Sequence, residues 1–480
     1  MPEAPHDESA LRRRAAEAGQ EHVFRFWNDL APDARAGLLA QVAEVDFEEL
    51  AALVDEHVTH RRPIELPPDL EPAPFIPLPS TEAEMAERSA MAARGEALIA
   101  AGKVAALVVA GGQGTRLGYE GPKGSFPIGP VSGRPLFQVF AEAILADRRA
   151  FGAAIPWYIM TSRANDRQTR DFFDAYNYFG LPRSDVKFFV QGMMPAVDLA
   201  GKLTLAGPGQ LVWSPDGHGG TIRALARSGM LADMAARGIE YISYFQVDNP
   251  IVPPVDPVFI GCHAAAGSDM SSKMARKREP FEKLGAFGMS RGRLHVIEYS
   301  DLPKELAEAK GSDGRLRFEA GSIAIHVLSR TFVEHLSGGK RFALPFHRAE
   351  KKIECVDAQG RPVKPVQPNG IKFEMFVFDA LPMAARPVIL EIDRGREFSP
   401  VKNAEGVDSP ATAQRDMIRL AADMLEHAGV VVPRDAACQP AVKVEISPLA
   451  ARDTAELAEL AVRLQLRHVT EDLYLGLEEA

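Results

Sequence analysis

A glycine-rich stretch, Ala110-Gly111-Gly112-Gln113-Gly114-Thr115-Arg116-Leu117-Gly118, followed by Gly121-Pro122-Lys123-Gly124, is the part of this sequence best equipped for chemistry. Glycines lack a Cβ, so their backbone N–H groups can come close to phosphate oxygens. Arg116 adds a planar fork of donors and Lys123 a point charge, a pair suited to a triphosphate undergoing displacement. The stretch follows Val104–Ala110, a continuous apolar run that reads as a strand buried on both faces. Ligands of open parallel sheets bind at the carboxyl ends of their strands, which is where this loop falls. Spacing excludes two alternatives. A P-loop needs glycine, four residues, then Gly-Lys-Ser/Thr, which is absent here. A dinucleotide fingerprint counted from Gly112 and Gly114 meets Leu117 at its last glycine. A plain strand-to-helix turn with a solvated Arg and Lys is the bland alternative, and the buried strand just before the loop weighs against it.

Two further residue types fit the same chemistry. Asp248 ends the apolar run Tyr241–Val247, and a carboxylate at a strand's carboxyl end is placed to hold Mg²⁺ against phosphate oxygens. The Gln191 amide can both donate and accept hydrogen bonds, as reading a base edge requires.

The elements that must position these groups follow from periodicity. Apolar runs recur at Ile155–Met160 and Tyr241–Val247, with helical patterns between them at Leu136–Ala146 and Gln168–Asn177. Such alternation predicts an α/β fold, a sheet with helices on both faces. Past Ser268 the character turns to β, with segments such as Leu294–Tyr299 and Arg315–His326. Residues 1 to 60 read as helical, with Val23, Phe24, Trp27 and Leu30 at three- and four-residue steps. A connector holding Pro63, Pro67, Pro68, Pro72, Pro74, Pro77 and Pro79 cannot be a helix interior. Thr81 with Glu84 resembles a capping box opening a helix to Ala101. Near the end, Ala441–Ile446 reads as a strand and Thr454–Gln465 as a helix. The expected division is 1–100 helical with its proline connector, 101–405 catalytic, and 406–480 a small C-terminal domain.

The 480 residues include 46% hydrophobic and 25% charged side chains, so general disorder is excluded. With 55 basic against 65 acidic side chains the net charge is −10, which argues against a nucleic-acid partner and requires any phosphate site to be locally basic. Three distant cysteines form no zinc spacing and no disulfide framework. The N-terminus shows no secretory pattern, and no apolar run approaches the roughly 20 residues that span a bilayer. The expectation is a cytoplasmic protein with no membrane partner; a homo-oligomer is left open.

Beyond the glycine loop, Trp157–Ser162, Tyr178–Leu181, Phe188–Met193, Val247–Pro250, Val296–Ser300, Ser312–Leu316 and Phe398–Asn403 appear in order. Together, over about residues 100 to 450, they resemble the eukaryotic-type UDP-sugar pyrophosphorylases, and most closely the UDP-N-acetylhexosamine branch. The resemblance implies a Rossmann-like, GT-A-like nucleotidyltransferase fold and a Mg²⁺-dependent reaction, UTP + sugar 1-phosphate ⇌ UDP-sugar + pyrophosphate. It implies that Lys402 is the second phosphate lysine and that Asp248 lies near the sugar phosphate. Gln191, with Gly111, Gly112 and Gly114, would hold the nucleotide, and Gly217 would line the nucleotide–sugar junction. His218, Asn249, Glu298 and Ser322 would face the sugar. At His218 and Ser322 the acetylhexosamine enzymes usually carry Asn, and His at the first of these positions looks more like the glucose enzymes.

The expected chemistry is in-line attack of the sugar-phosphate oxygen on the α-phosphorus of UTP. Arg116 and Lys123 would hold the triphosphate, and Lys402 would neutralise the attacking phosphate. No general base is needed, because that phosphate is already ionised near neutral pH. N-acetylglucosamine 1-phosphate is the expected acceptor. The alternatives are a glucose 1-phosphate or broad-specificity enzyme, a non-catalytic sugar-nucleotide sensor on the same fold, and, against the broken fingerprint, a dehydrogenase.

Overall fold

Strands buried on both faces must be covered by helices on both sides, and the computed structural model, which describes residues 7–60, 66–339, 342 and 344–477, shows how this sequence achieves it. The chain divides into two units. One is drawn from 1–65, 192–221 and 344–379; the other from 66–191, 222–343 and 380–480.

The larger unit is built on a ten-stranded mixed sheet. Its strands are β1 (Glu71–Pro72), β2 (Val104–Val109), β3 (Trp157–Thr161), β4 (Val186–Val190), β5 (Tyr241–Gln246), β6 (Met270–Arg276), β7 (Ala286–Ser290), β8 (Arg293–Ile297), β9 (Ala320–Ser329) and β10 (Val388–Glu391). Their order is β1-β7-β9-β5-β2-β3-β4, with β6 pairing β9 and β10, and β8 pairing β7. β5, β2, β3 and β4 run parallel, so their carboxyl ends lie along one edge. All six residues of β2 and all five of β3 are buried, as their unbroken apolar runs predict. β5 turns antiparallel to β9, and the β-rich second half completes the sheet as hairpin-like pairs.

The longer helices of this unit are α1 (Glu82–Ala100), α2 (Leu136–Phe151), α3 (Asp166–Ala175), α4 (Pro257–Ala266), α5 (Pro410–His427) and α6 (Thr454–Arg463). α1 opens with the expected capping box: Glu84 N–H donates to Thr81 Oγ1 and Thr81 N–H to Glu84 Oε2. The proline connector, whose Pro63 lies outside the described residues, follows the sheet edge instead of hanging free. Ile76 N–H donates to Ile389 O and Glu391 N–H to Ile76 O, which covers the outer edge of β10. α5, α6 and a short parallel pair, Val444–Ile446 with Leu473–Leu475, enclose their own apolar cluster around Leu425, Leu457 and Leu460.

In the smaller unit the N-terminal segment is less continuous than its periodicity suggests. Glu8–Glu17 is a helix, but Gly19 turns left-handed at φ 67°, and Val23 to Asp29 form only short 3₁₀ turns. Helices resume at Pro32–Glu44 and Phe47–Val54. Gln20 fastens this region to the 192–221 insertion: its Nε2 donates to Gly201 O and its Oε1 accepts from Leu203 N. Among the described residues no helix is long and apolar enough to cross a membrane.

Two packing features give testable consequences. α1 and α4 cross so closely that a Cβ at Gly95 would lie 1.9 Å from Pro257 O, and one at Gly261 1.8 Å from Met91 O. Backbone cannot yield there as a flexible side chain could, so Gly261→Ala is expected to cost about 3 kcal/mol or more, read by thermal denaturation. Asp147 of α2 is pushed up to about 7 by burial, a rise that the Arg452 guanidinium only partly offsets. Between about pH 4 and 7 the folded chain therefore keeps a proton that the unfolded chain has lost, and stability falls as pH rises through that window. Asp147→Asn is expected to melt a few degrees above wild type at pH 8, with the gap closing by pH 4.5.

Candidate active site

The glycine loop leaves β2 as expected and closes on itself. Gly114 N–H donates to Gly121 O at 2.9 Å, and Lys123 N–H to Gly112 O at 3.1 Å, which brings Lys123 back beneath the loop. A residue not singled out in the sequence holds the loop from the next strand end. Asn165 is fully buried, and its Nδ2 donates to Ala110 O at 2.9 Å and Gly112 O at 3.1 Å. Its Oδ1 accepts from Ser162 N–H at 2.8 Å. The only local signal was an asparagine three residues after a serine at a helix start.

β5 ends beside β2 in parallel register, Gln246 opposite Val109, and Val247 N–H donates to Val109 O. Asp248 therefore emerges next to the glycine loop. Its Oδ2 lies 3.7 Å from Lys123 Nζ, with the two side chains 19% and 16% exposed, a partly desolvated pair at the sheet edge. Arg116 lies on the 3₁₀ turn Gly114–Leu117 and is exposed. Gln191 follows β4 and is buried, and a Cβ on Gly111 would lie 3.0 Å from its Oε1, so the amide and the loop backbone adjoin. At Gly112 an added Cβ meets nothing within 4 Å, so nothing in the protein itself demands glycine there.

A third segment comes from far along the chain. Val401 N–H donates to Asp248 O at 2.8 Å, which sets Lys402 beside the end of β5. Lys402 Nζ sits 5.7 Å from the Phe398 ring centroid and 4.0 Å from Asp408 Oδ2, and its side chain is 41% exposed. Asn249 is 3% exposed and its amide is committed to this segment at both ends: Nδ2 donates to Glu397 O at 2.6 Å, and Oδ1 accepts from Ser399 N–H at 3.0 Å. Glu298 and Ser322 meet around Gly285. Ser322 N–H donates to Gly285 O at 2.8 Å, and Glu298 Oε1 would lie 3.7 Å from a Cβ on Gly285.

Gly217 and His218 belong to the smaller unit. Gly217 has φ +82°, and a Cβ there would lie 2.3 Å from Met375 O, so only glycine fits. His218 packs on Phe376 and Phe378, with ring centroids 5.3 and 5.7 Å away. Val377 N–H donates to His218 Nδ1 at 3.3 Å, which leaves the ring proton on Nε2. Burial, with nearby His347 adding, lowers its pKa to about 4, so His218 is a neutral donor at ordinary pH.

Comparison with known proteins identifies the family. Residues 75–435 match the family model described as UTP–glucose-1-phosphate uridylyltransferase. The human UDP-N-acetylhexosamine pyrophosphorylase-like protein 1 is 38% identical over 92% of this chain and 92% of its own. The Saccharomyces cerevisiae UDP-N-acetylglucosamine pyrophosphorylase is 36% identical over 87% of this chain and 91% of its own. The solved structure of the Trypanosoma brucei uridine diphosphate N-acetylglucosamine pyrophosphorylase superposes with a TM-score of 0.84 at 26% identity, covering 99% of both chains. The chain belongs to the UTP–glucose-1-phosphate uridylyltransferase family of UDP-sugar pyrophosphorylases.

Proposed function

We propose that this protein transfers a uridylyl group from UTP to N-acetylglucosamine 1-phosphate, releasing pyrophosphate. The observation that carries the reading is the meeting of Lys123, Asp248 and the Lys402 segment at the ends of β2 and β5. Lys123 stands beside Asp248 and Lys402 beside Asp408, so two cations that anionic reactants could draw on come from segments joined at one sheet edge of an acidic chain. The names of the full-length relatives support N-acetylglucosamine as the acceptor sugar.

In this reading Gln191 and the backbone at Gly111 hold the uracil end. The open space at Gly112 is left for the ligand, and the loop backbone with Arg116 receives the triphosphate, while Gly114, its N–H donated to Gly121 O, closes the loop and does not itself bind phosphate. Lys123 offsets the charge that builds on the departing pyrophosphate, and Lys402 that of the attacking phosphate. The sugar-phosphate oxygen forms a bond to the α-phosphorus as the bond from that phosphorus to the β-phosphate's bridging oxygen breaks, and the pyrophosphate takes the electron pair. Glu298 and Ser322, which meet around Gly285, are assigned to the sugar, and for His218 that role rests on the family resemblance alone. Asn249 serves by holding the loop that bears Lys402, since its amide is already engaged there.

Mg²⁺ suits the donors present. Among the described residues no three His, Cys, Asp or Glu side chains form a metal cage, and Asp248 offers one carboxylate. Mg²⁺ keeps several waters and takes other ligands from substrate phosphates, so one carboxylate is a fitting protein contribution. When bound it would supply charge neutralisation at the phosphate oxygens.

Glucose 1-phosphate is a second reading, favoured by His218, where the acetylhexosamine enzymes usually carry Asn. Its Nε2–H is nevertheless a neutral donor, as an asparagine amide N–H is, so the substitution keeps a hydrogen bond available to an acetamido oxygen.

Lys402→Ala is expected to lower turnover roughly a hundredfold or more, the loss typical of one preorganised charge, with the melting temperature nearly unchanged; near-normal turnover would overturn its role. Pyrophosphate release should be faster with N-acetylglucosamine 1-phosphate than with glucose 1-phosphate. The opposite preference would transfer the assignment to glucose, and tight UDP-sugar binding with no turnover would favour a sensor.

A further inference from the structure

We infer that Lys273 and Glu397, neither of which touches substrate in the reading above, are positioning residues that set the segment bearing Lys402 against Asp248; the inference rests on the uridylyl-transfer reading.

Lys273 lies on β6 and is 1% exposed. Its Nζ pairs with Asp256 Oδ2 at 2.5 Å and with Glu397. Burial alone would drive the proton off this ammonium, but the two carboxylates outweigh it and hold its pKa above the ordinary lysine value. Glu397 is pushed up, by burial first and by the charge of Asp256 beside it, so it depends on Lys273 for its ionised form. Arg88 of α1 also faces Glu397, with its Nη1 buried and without a hydrogen bond. Asp256 is tied down independently, because it caps α4 through Val258 N–H at 2.9 Å.

Buried ion pairs are poor sources of net stability, since desolvation offsets most of the attraction; fixing a geometry is their better-attested use. Here the geometry leads to the site. Glu397 O accepts from Asn249 Nδ2, Asn249 Oδ1 accepts from Ser399 N–H, and Val401 N–H donates to Asp248 O. Glu397 is thus clamped to the core by Lys273 at its side chain, and its backbone stands five residues before Lys402. Ser399 Oγ adds a bond to Asp416 at 2.7 Å on α5. A shift at Glu397 is passed to Lys402 through a short, fully bonded segment.

Lys273→Met is the obvious test, but it leaves two buried carboxylates unpaired and risks the fold. Glu397→Gln keeps the shape and an oxygen for Lys273 while Asp256 still pairs with it. In the full-length protein, Glu397→Gln is expected to lower kcat roughly tenfold or more, with the KM for UTP within about twofold. In a Lys402→Ala background the same change should cost little further, because both act through one group. Hydrogen exchange at Ser399 and Val401 should quicken in Glu397→Gln without substrate present. An active wild type whose Glu397→Gln variant keeps its kcat and exchange, or whose loss is undiminished in the Lys402→Ala background, would overturn this inference alone. A wild type inert toward UTP with every sugar 1-phosphate would overturn the functional reading together with it.

Discussion

Ser399 N–H reaches Asn249 Oδ1 across 150 residues of sequence, and Val401 N–H reaches Asp248 O beside it. These two contacts, one to a side-chain amide and one to a backbone carbonyl, tie a late loop to the end of the fifth strand, and the proposed active edge depends on them. β2 brings the glycine loop, β5 brings Asp248, and Lys123 folds back to meet it at 3.7 Å. Only the late segment adds a second lysine. Its bonds are directional and short, so the position of Lys402 is set by backbone geometry.

Electrostatics explains why such fastening is needed. On a chain of net charge −10 a free lysine finds acidic partners readily: Lys123 pairs with Asp248, and Lys402 lies near Asp408. The structure keeps Lys402 near the Phe398 ring and Asp408, with its ammonium partly exposed. Beneath the loop, Lys273 neutralises carboxylates that the interior could not otherwise hold as ions. His218 shows the opposite use of burial: desolvation removes its charge, and one backbone N–H fixes which nitrogen donates.

Much of the frame was legible from residue order. β2 and β3 are legible as near-continuous apolar runs, and β5 as a largely apolar run broken by Ser243 and Gln246, because both faces of these strands are covered. The capping box at Thr81 was readable because it is local. In the N-terminal region apolar spacing overstates the helix: it suits 3₁₀ turns interrupted at Gly19 as well as it suits a continuous helix. The same limit hid Asn165, whose two donors act on a loop more than fifty residues earlier.

The sequence by itself determined the types of group available: a glycine loop too short and wrongly spaced for a P-loop, its two cations, and a carboxylate at a strand end. Those are local properties, set by residue identity and spacing. Tertiary structure alone decided that Lys123 meets Asp248, that Asn249 spends its amide on the loop before Lys402, and that Lys273 stands buried between two acids. Each of these needs segments remote in sequence to be brought within hydrogen-bonding distance, and that proximity is a product of packing which no one-dimensional pattern records.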